Sequence, residues 1–312
     1  MPYDLPNFDE PNVLGMPQGC AWGLFDKNGK KDLLGTINLL TPEVVRAALS
    51  EARDSISISL NWPIGAIATP GYARKGLVHK VISWMDSPLQ FHGYDDEIEV
   101  NTQCSSRWDS LVHFHHQLSE SAYNGFKPSV SLLEQNLGKE DLDKALPTLN
   151  RKLHSRGGLV ARGVFIDFKR WANKHYIQYS PFEAKRITIN DIEMIAEEQS
   201  IVFKTGDVFI IRTSFTEALG QMDAEQQQQA LRDAIAFEAM PPLINGKEGE
   251  VNQLVLHQDF LGLFGLPIGE LWDLQALPEH CASIGRYTFL LTSSPLNVPG
   301  STGSPPNALA IF

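Results

Sequence analysis

A single α/β domain is the architecture this sequence predicts, and three observations predict it. Helical and strand-like hydrophobic patterns alternate along the chain, as in mixed α/β or α+β layers. No composition shift, internal repeat or long flexible linker divides the 312 residues. Apolar residues make up 43% and charged residues 20%, the balance of a chain that buries its own core. The expected organisation is an N-terminal arm, residues 1–40, packing on a body of residues 41–312.

Each element follows from its local pattern. Thr41-Pro42-Glu43 supplies a cap, a first-turn proline and a first-turn acid, and Val44, Val45, Ala48 and Leu49 then share one face, so Thr41 to Ala52 reads as a helix. Ser55 to Ile64 alternates polar and β-branched residues, as a half-buried strand does. "GLVARGVFIDF" and "GDVFIIRTS" are apolar enough for strands buried on both faces. Thr188 stands three residues before Asp191, a capping-box spacing that opens a helix to Gln199. "DAEQQQQALRDAIAFEAM" reads as a further helix, its glutamines on a solvated face. The closing "ALAIF" is apolar enough to dock on the body.

Composition also narrows the function classes. A net charge of −11 leaves no basic stripe for nucleic acid and no attraction to anionic membranes, so a small molecule is the expected partner. Three scattered cysteines make neither a disulfide framework nor a zinc knuckle, which fits a reducing, cytoplasmic setting. The acidic, proline-rich start lacks the charged and apolar regions of a secretory signal, and no apolar run is long enough to span a bilayer.

Chemistry concentrates in "NTQCSSRWDSLVHFHHQ", Asn101 to Gln117. Asp109 and His113 are four apart and would share a helix face, with His115 pointing elsewhere and His116 only partly aligned. Such a pair suits general acid/base work, the carboxylate fixing the imidazole tautomer; it equally suits a structural hydrogen bond. His257 and Glu270 flank a broken apolar run, where a histidine is as readily a core residue and a glutamate a helix start.

Laid over these residues, the chain resembles the cyclase-like amidohydrolases, the family of kynurenine formamidase and isatin hydrolase, and in particular its longer fungal members. The family signature H-x-G-T-H-x-D-x-P-x-H, aligned on Asp109, puts Gln103, Arg107 and His113 at its three histidines, Ser105 and Ser106 at Gly-Thr, and Leu111 at the proline. "PIGEL" resembles P-I-x-E-N-L, which makes Glu270 the late metal-binding glutamate and His257 the histidine upstream of it. "DLLGTINLLTPEVV", "ARGVFIDFKRWA" and "GSPPNALAIF" extend the likeness over nearly the whole chain. The resemblance implies a swivelling β/β/α fold, residues 41–312 as the catalytic domain, a homo-oligomer to which "ALAIF" or the N-terminal arm contributes, and hydrolysis of a non-peptide C–N bond.

Departures from the signature set the expectation for cofactors. Gln103 offers only a weak carbonyl ligand, and Arg107 has no lone pair and stays cationic, so it would pair with Asp109. The first family metal site is therefore expected to be lost, leaving no cofactor or at most one divalent ion, zinc or manganese, on Asp109, His257 and Glu270. His113 is the expected acid/base, Asp109 its orienting group and Arg107 a fixed charge for a developing oxyanion or a substrate carboxylate; Gln103, Arg107 and Trp108 are the expected substrate contacts. Thr216 to Glu238 lacks a strand that relatives usually carry, which alters the pocket wall. The alternative to amide hydrolysis is a metal-independent lyase, isomerase or cyclase acting on an aromatic or polyketide-like metabolite. A third alternative is a binding protein without turnover.

Overall fold

A computed structural model describes residues 5–8, 13–134, 153–183, 185–238 and 256–312. Ten strands run β1 (Ser57–Ser59), β2 (Val78–Ser83), β3 (Tyr94–Glu99), β4 (Arg107–Asp109), β5 (Leu159–Ile166), β6 (Val208–Ile211), β7 (Ile268–Glu270), β8 (Thr288–Ser293), β9 (Gly303–Ser304) and β10 (Ala308–Ile311). They form a five-stranded sheet ordered β1-β10-β8-β5-β6, a three-stranded sheet ordered β7-β4-β9 and an exposed β2-β3 hairpin.

The eight residues of β5 are almost entirely buried because the strand has a core on each face. Leu159, Ala161 and Phe165 face one core with Phe289, Leu291, Trp108 and Trp272. Val164 and Ile166 face the other, against Phe168 and Trp171 of the helix Phe168–Lys174 and Ile195 of the helix Ile189–Glu198. Strict alternation along one strand thus separates a sheet-on-sheet layer from a sheet-on-helix layer. These are the β/β/α layers that the resemblance implies. Gly163 is required where β5 meets β8: it lies opposite Phe289, and a Cβ there would overlap the Phe289 ring.

Most local expectations hold. Thr41 caps the helix Pro42–Ala48, and Thr188 and Asp191 close a reciprocal capping box. The stretch from Ser55 to Ile64 is a correction, because only three of its residues form β1. Ser55 has φ of 57°, and the Asn61 side chain bonds both the N–H and C=O of Ala308, replacing the ladder that backbone would have continued. The glutamine run is solvent-facing except for Gln227, which is buried and donates to the carbonyls of Ala66 and Leu219. "ALAIF" supplies β10, with Ala308, Ala310 and Phe312 fully buried between β1 and β8, so it docks on the body as expected. Between Thr216 and Glu238 the chain forms the helices Phe215–Gly220 and Ala224–Glu238. Among the described residues no helix is long and apolar enough to cross a membrane.

Candidate functional site

The site is built on β4, the central strand of the three-stranded sheet. With a period of two, Arg107 and Asp109 share one face and Trp108 takes the other. Antiparallel register sets Glu270 of β7 directly opposite Arg107. Arg107 contacts Asp109 Oδ1, the pairing expected from the sequence, and the two side chains are 2% and 0% exposed. Gly303 of β9 lies opposite Asp109, where a Cβ would collide with the Arg107 guanidinium. Ser105 and Ser106 are structural: their hydroxyls bond the carbonyl (2.7 Å) and amide (3.1 Å) of Trp62 and pin the segment entering β4.

Two imidazoles reach this face from outside the sheet. His113 does not share a helix with Asp109. A turn closed by the His113 amide on the Ser110 carbonyl (2.8 Å) folds it back instead, placing Nε2 3.8 Å from Asp109 Oδ1. His257 leads into the π-helical turn Gln258–Phe264, and its Nε2 lies 3.0 Å from Glu270 Oε1 and 3.5 Å from Asp109 Oδ2. His116 is buried against Ser119 and Ser121, away from the cluster.

A cavity of about 1790 Å³ opens beside the cluster, with Arg74, Gln103, Trp108, His113, His257 and Glu270 in its wall. Of the three expected substrate contacts, Gln103 and Trp108 stand in this wall and Arg107 does not. Arg107, at 2% exposure, is not part of this wall; its guanidinium packs over Gly303 and against Asp109. Trp108 also faces the core: it donates to Ser293 Oγ (2.9 Å) and packs edge-on against Trp272 at 5.0 Å. Gln103 is half-buried in the wall. Arg74 had no signal in the sequence, since nothing in the spacing of "PGYARKG" relates it to Asp109.

Burial, and then the Arg107 charge, push His113 down to about 3, so this imidazole is neutral near pH 7. Burial also lowers Arg107, to about 10, against the opposing pull of Glu270. Burial would raise Glu270, but the hydrogen bond from His257 and the charges of His257 and Arg107 outweigh it and hold the carboxyl low. Among the described residues, Asp109, His113 and His257 are the set whose ligand atoms lie within 4.8 Å of one another. His113 stands in that set in place of Glu270, which instead orients His257. One carboxylate and two imidazoles are ligands of the right kind for a divalent ion. The guanidinium on Asp109 Oδ1 opposes it, since ion and arginine would compete for one carboxylate.

A crystal structure of a novel cyclase superposes with a TM-score of 0.73 at 25% identity, covering 94% of this chain and 99% of that one. An isatin hydrolase bound to the product analogue thioisatinate gives 0.49 at 14% identity, over 88% of this chain and 99% of its own. Isatin hydrolase A from Ralstonia solanacearum gives 0.48 at 16%, over 87% and 98%. No curated protein matches the chain. Residues 40–249 match the model of the Cyclase family, which with the superposition over almost the full length establishes that this chain belongs to that family.

Proposed function

We propose that this chain hydrolyses a non-peptide C–N bond in a small aryl formamide or cyclic amide, with its own side chains carrying the proton transfers. The observation that carries the reading is the convergence of His113, His257, Asp109 and Glu270 beside a cavity large enough for an aromatic substrate. His113 is neutral at working pH, so its lone pair is available to take a proton from attacking water. The imidazolium that forms is offset by Asp109 at 3.8 Å and by Glu270. As the water oxygen bonds the carbonyl carbon, the C=O electron pair moves to oxygen, where the Gln103 amide donates to it. Collapse of the adduct breaks the C–N bond, and His113 returns its proton to the leaving nitrogen. His257 Nε2 donates to Glu270, and this pair keeps the second imidazole fixed at the reacting centre.

Arg107 is a positioning residue on this reading: it compensates the buried Asp109 carboxylate without touching the substrate. On this reading a tightly held divalent ion is not expected, because it would compete with the guanidinium for the Asp109 carboxylate. The test is an absorbance assay on isatin and formanilide, before and after dialysis against a chelator, with His113→Asn and His257→Asn alongside. Amide cleavage that survives dialysis and fails in both variants is the expected result. No cleavage of either amide, together with chelator-insensitive rearrangement of an aromatic metabolite, would replace hydrolysis by the lyase, isomerase or cyclase reading.

A further inference from the structure

The anion-binding role that the sequence suggests for Arg107 has another candidate in Arg74, which stands in the same cavity wall as Gln103, His113 and Glu270. The next residue, Lys75, is paired with Glu99, whereas Arg74 has no carboxylate within ion-pair distance among the described residues. Its guanidinium carbon lies 4.9 Å from the centre of the Tyr72 ring, which supports the planar group on one face. The loop bearing it is held at both ends against the turn that carries Gln103: Ile67 donates to the Cys104 carbonyl (3.0 Å) and Asn101 to the Lys75 carbonyl (3.2 Å).

The backbone leading to Arg74 is strained. Tyr72 and Ala73 have φ of 61° and 53°, two consecutive side-chain-bearing residues in the left-handed region. Such a conformation is disfavoured for both, and it persists only where the surroundings impose it; ligand clamps are among the places where it collects. Here it delivers an arginine to a cavity wall, where Arg212, the other arginine, is fully engaged with Asp167 and Glu217.

We propose that Arg74, backed by Tyr72, is an anion subsite of this cavity that takes a planar carboxylate attached to the aromatic or cyclic body of the ligand. A guanidinium fork matches a carboxylate in two parallel hydrogen bonds, a geometry an ammonium group does not reproduce. The proposal narrows the amide substrate to one bearing an anionic group, and for the word substrate it rests on the hydrolase reading. Binding itself does not.

The test is therefore calorimetric, with benzoate and neutral benzamide as probes on the full chain and on Arg74→Gln and Arg74→Lys. Benzoate is expected to bind the unaltered protein at least about tenfold more tightly than benzamide, and Arg74→Gln to remove that preference while leaving benzamide unchanged. Arg74→Lys should retain part of it, through charge without the fork. Equal binding of the two probes by the unaltered protein, or an unchanged benzoate affinity in Arg74→Gln, overturns the subsite. His113→Asn separates the two claims: it should keep benzoate selectivity while losing turnover, so a failed amide assay leaves the subsite result standing by itself.

Discussion

Arg212, half-buried, and Arg107, buried, both meet carboxylates near one cavity, yet their donors are used differently. Arg212 gives Nε and Nη2 to the two oxygens of Glu217 (2.6 and 2.8 Å) and Nη1 to Asp167 Oδ1 (2.9 Å). Asp167 in turn caps the helix Phe168–Lys174 through the Arg170 amide, and Glu217 lies in the first turn of the helix Phe215–Gly220. Burial works to lower Arg212, but these hydrogen bonds and charges reverse it and raise the group. Arg107 meets Asp109 Oδ1 through Nη2, its Nε has no hydrogen-bond partner among the described residues, and burial lowers its pKa. The first arginine is a strut between elements. The second is a charge placed behind a reactive face, and its incomplete pairing costs stability in a way that a purely structural ion pair avoids.

The largest effect should come from breaking either pair. Arg212→Met leaves Asp167 and Glu217 without their cation and should lower unfolding free energy by about 3–5 kcal/mol, read from urea transitions. Arg107→Met should cost a comparable amount by exposing Asp109 to the same penalty. The distinction lies in the double replacements. Removing Asp109 together with Arg107, as Arg107→Met with Asp109→Leu, should recover most of the stability and leave no turnover. Replacing Arg212 with both of its carboxylates should leave the chemistry per folded molecule intact. Turnover that survives the loss of Arg107 and Asp109 would reduce the two arginines to the same structural role.

Next is His113. Exchange for Asn keeps a polar side chain but removes the proton acceptor, and should lower kcat by about 100-fold or more. Circular dichroism and the melting temperature should stay near those of the unaltered chain. A folded variant with full activity would make the Asp109–His113 approach a structural one, the alternative that spacing alone leaves open.

A third experiment exchanges one kind of cation for another. Gln103→His with Arg107→His removes the guanidinium and restores two imidazoles beside Asp109. The double variant should gain affinity for zinc or manganese by at least about tenfold in calorimetric titration, and lose native turnover as the fixed charge goes. The unaltered protein should carry far less than one tightly bound ion per chain by elemental analysis. Equal metal binding by the two proteins would show that Arg107 does not keep the ion out.

What the sequence revealed of this site follows the range of its interactions. The Arg107–Asp109 pairing was legible from charge alone, since a guanidinium in a ligand position cannot bind a metal and pairs with the nearest carboxylate; that the two share one face of a strand was not. Asp109 and His113 were rightly brought together for the wrong reason: a strand end and a turn do what a helix was expected to do. His257 and Glu270 met only through a resemblance, since the twelve intervening residues carry no geometric information. The burial of Arg107 away from the cavity wall was not legible, because sequence alone gives no measure of which side of a sheet a second layer covers. Arg74 was missed outright, as its position depends on a strained loop pinned to a turn about thirty residues downstream. The fold was easier to read, because the period of β5 and the caps at Thr41 and Thr188 are local.

The last experiment reads acid stability, and it probes the electrostatic contrast between the two arginines directly. His113 sits near 3 in the folded chain against an ordinary value of 6.5, through burial first and then the charge of Arg107. Above pH 6.5 neither the folded nor the unfolded state holds this proton, so His113 adds nothing to the pH dependence. Between 6.5 and about 3 the unfolded chain takes the proton and the folded chain refuses it, so unfolding becomes easier as pH falls. Below about 3 both states are protonated and the contribution levels off. Urea transitions at intervals from pH 7.5 to pH 4 should therefore show the unaltered protein losing more stability than His113→Gln. The carboxylates titrate in both proteins, which lets the difference isolate the imidazole. In an Arg107→Met background the same difference should shrink, since the second cause of the depression is gone; in an Arg212→Met background it should not. Identical slopes for the unaltered protein and His113→Gln would mean that His113 is solvated rather than held neutral, and the guanidinium behind it would lose its claim to shape the site.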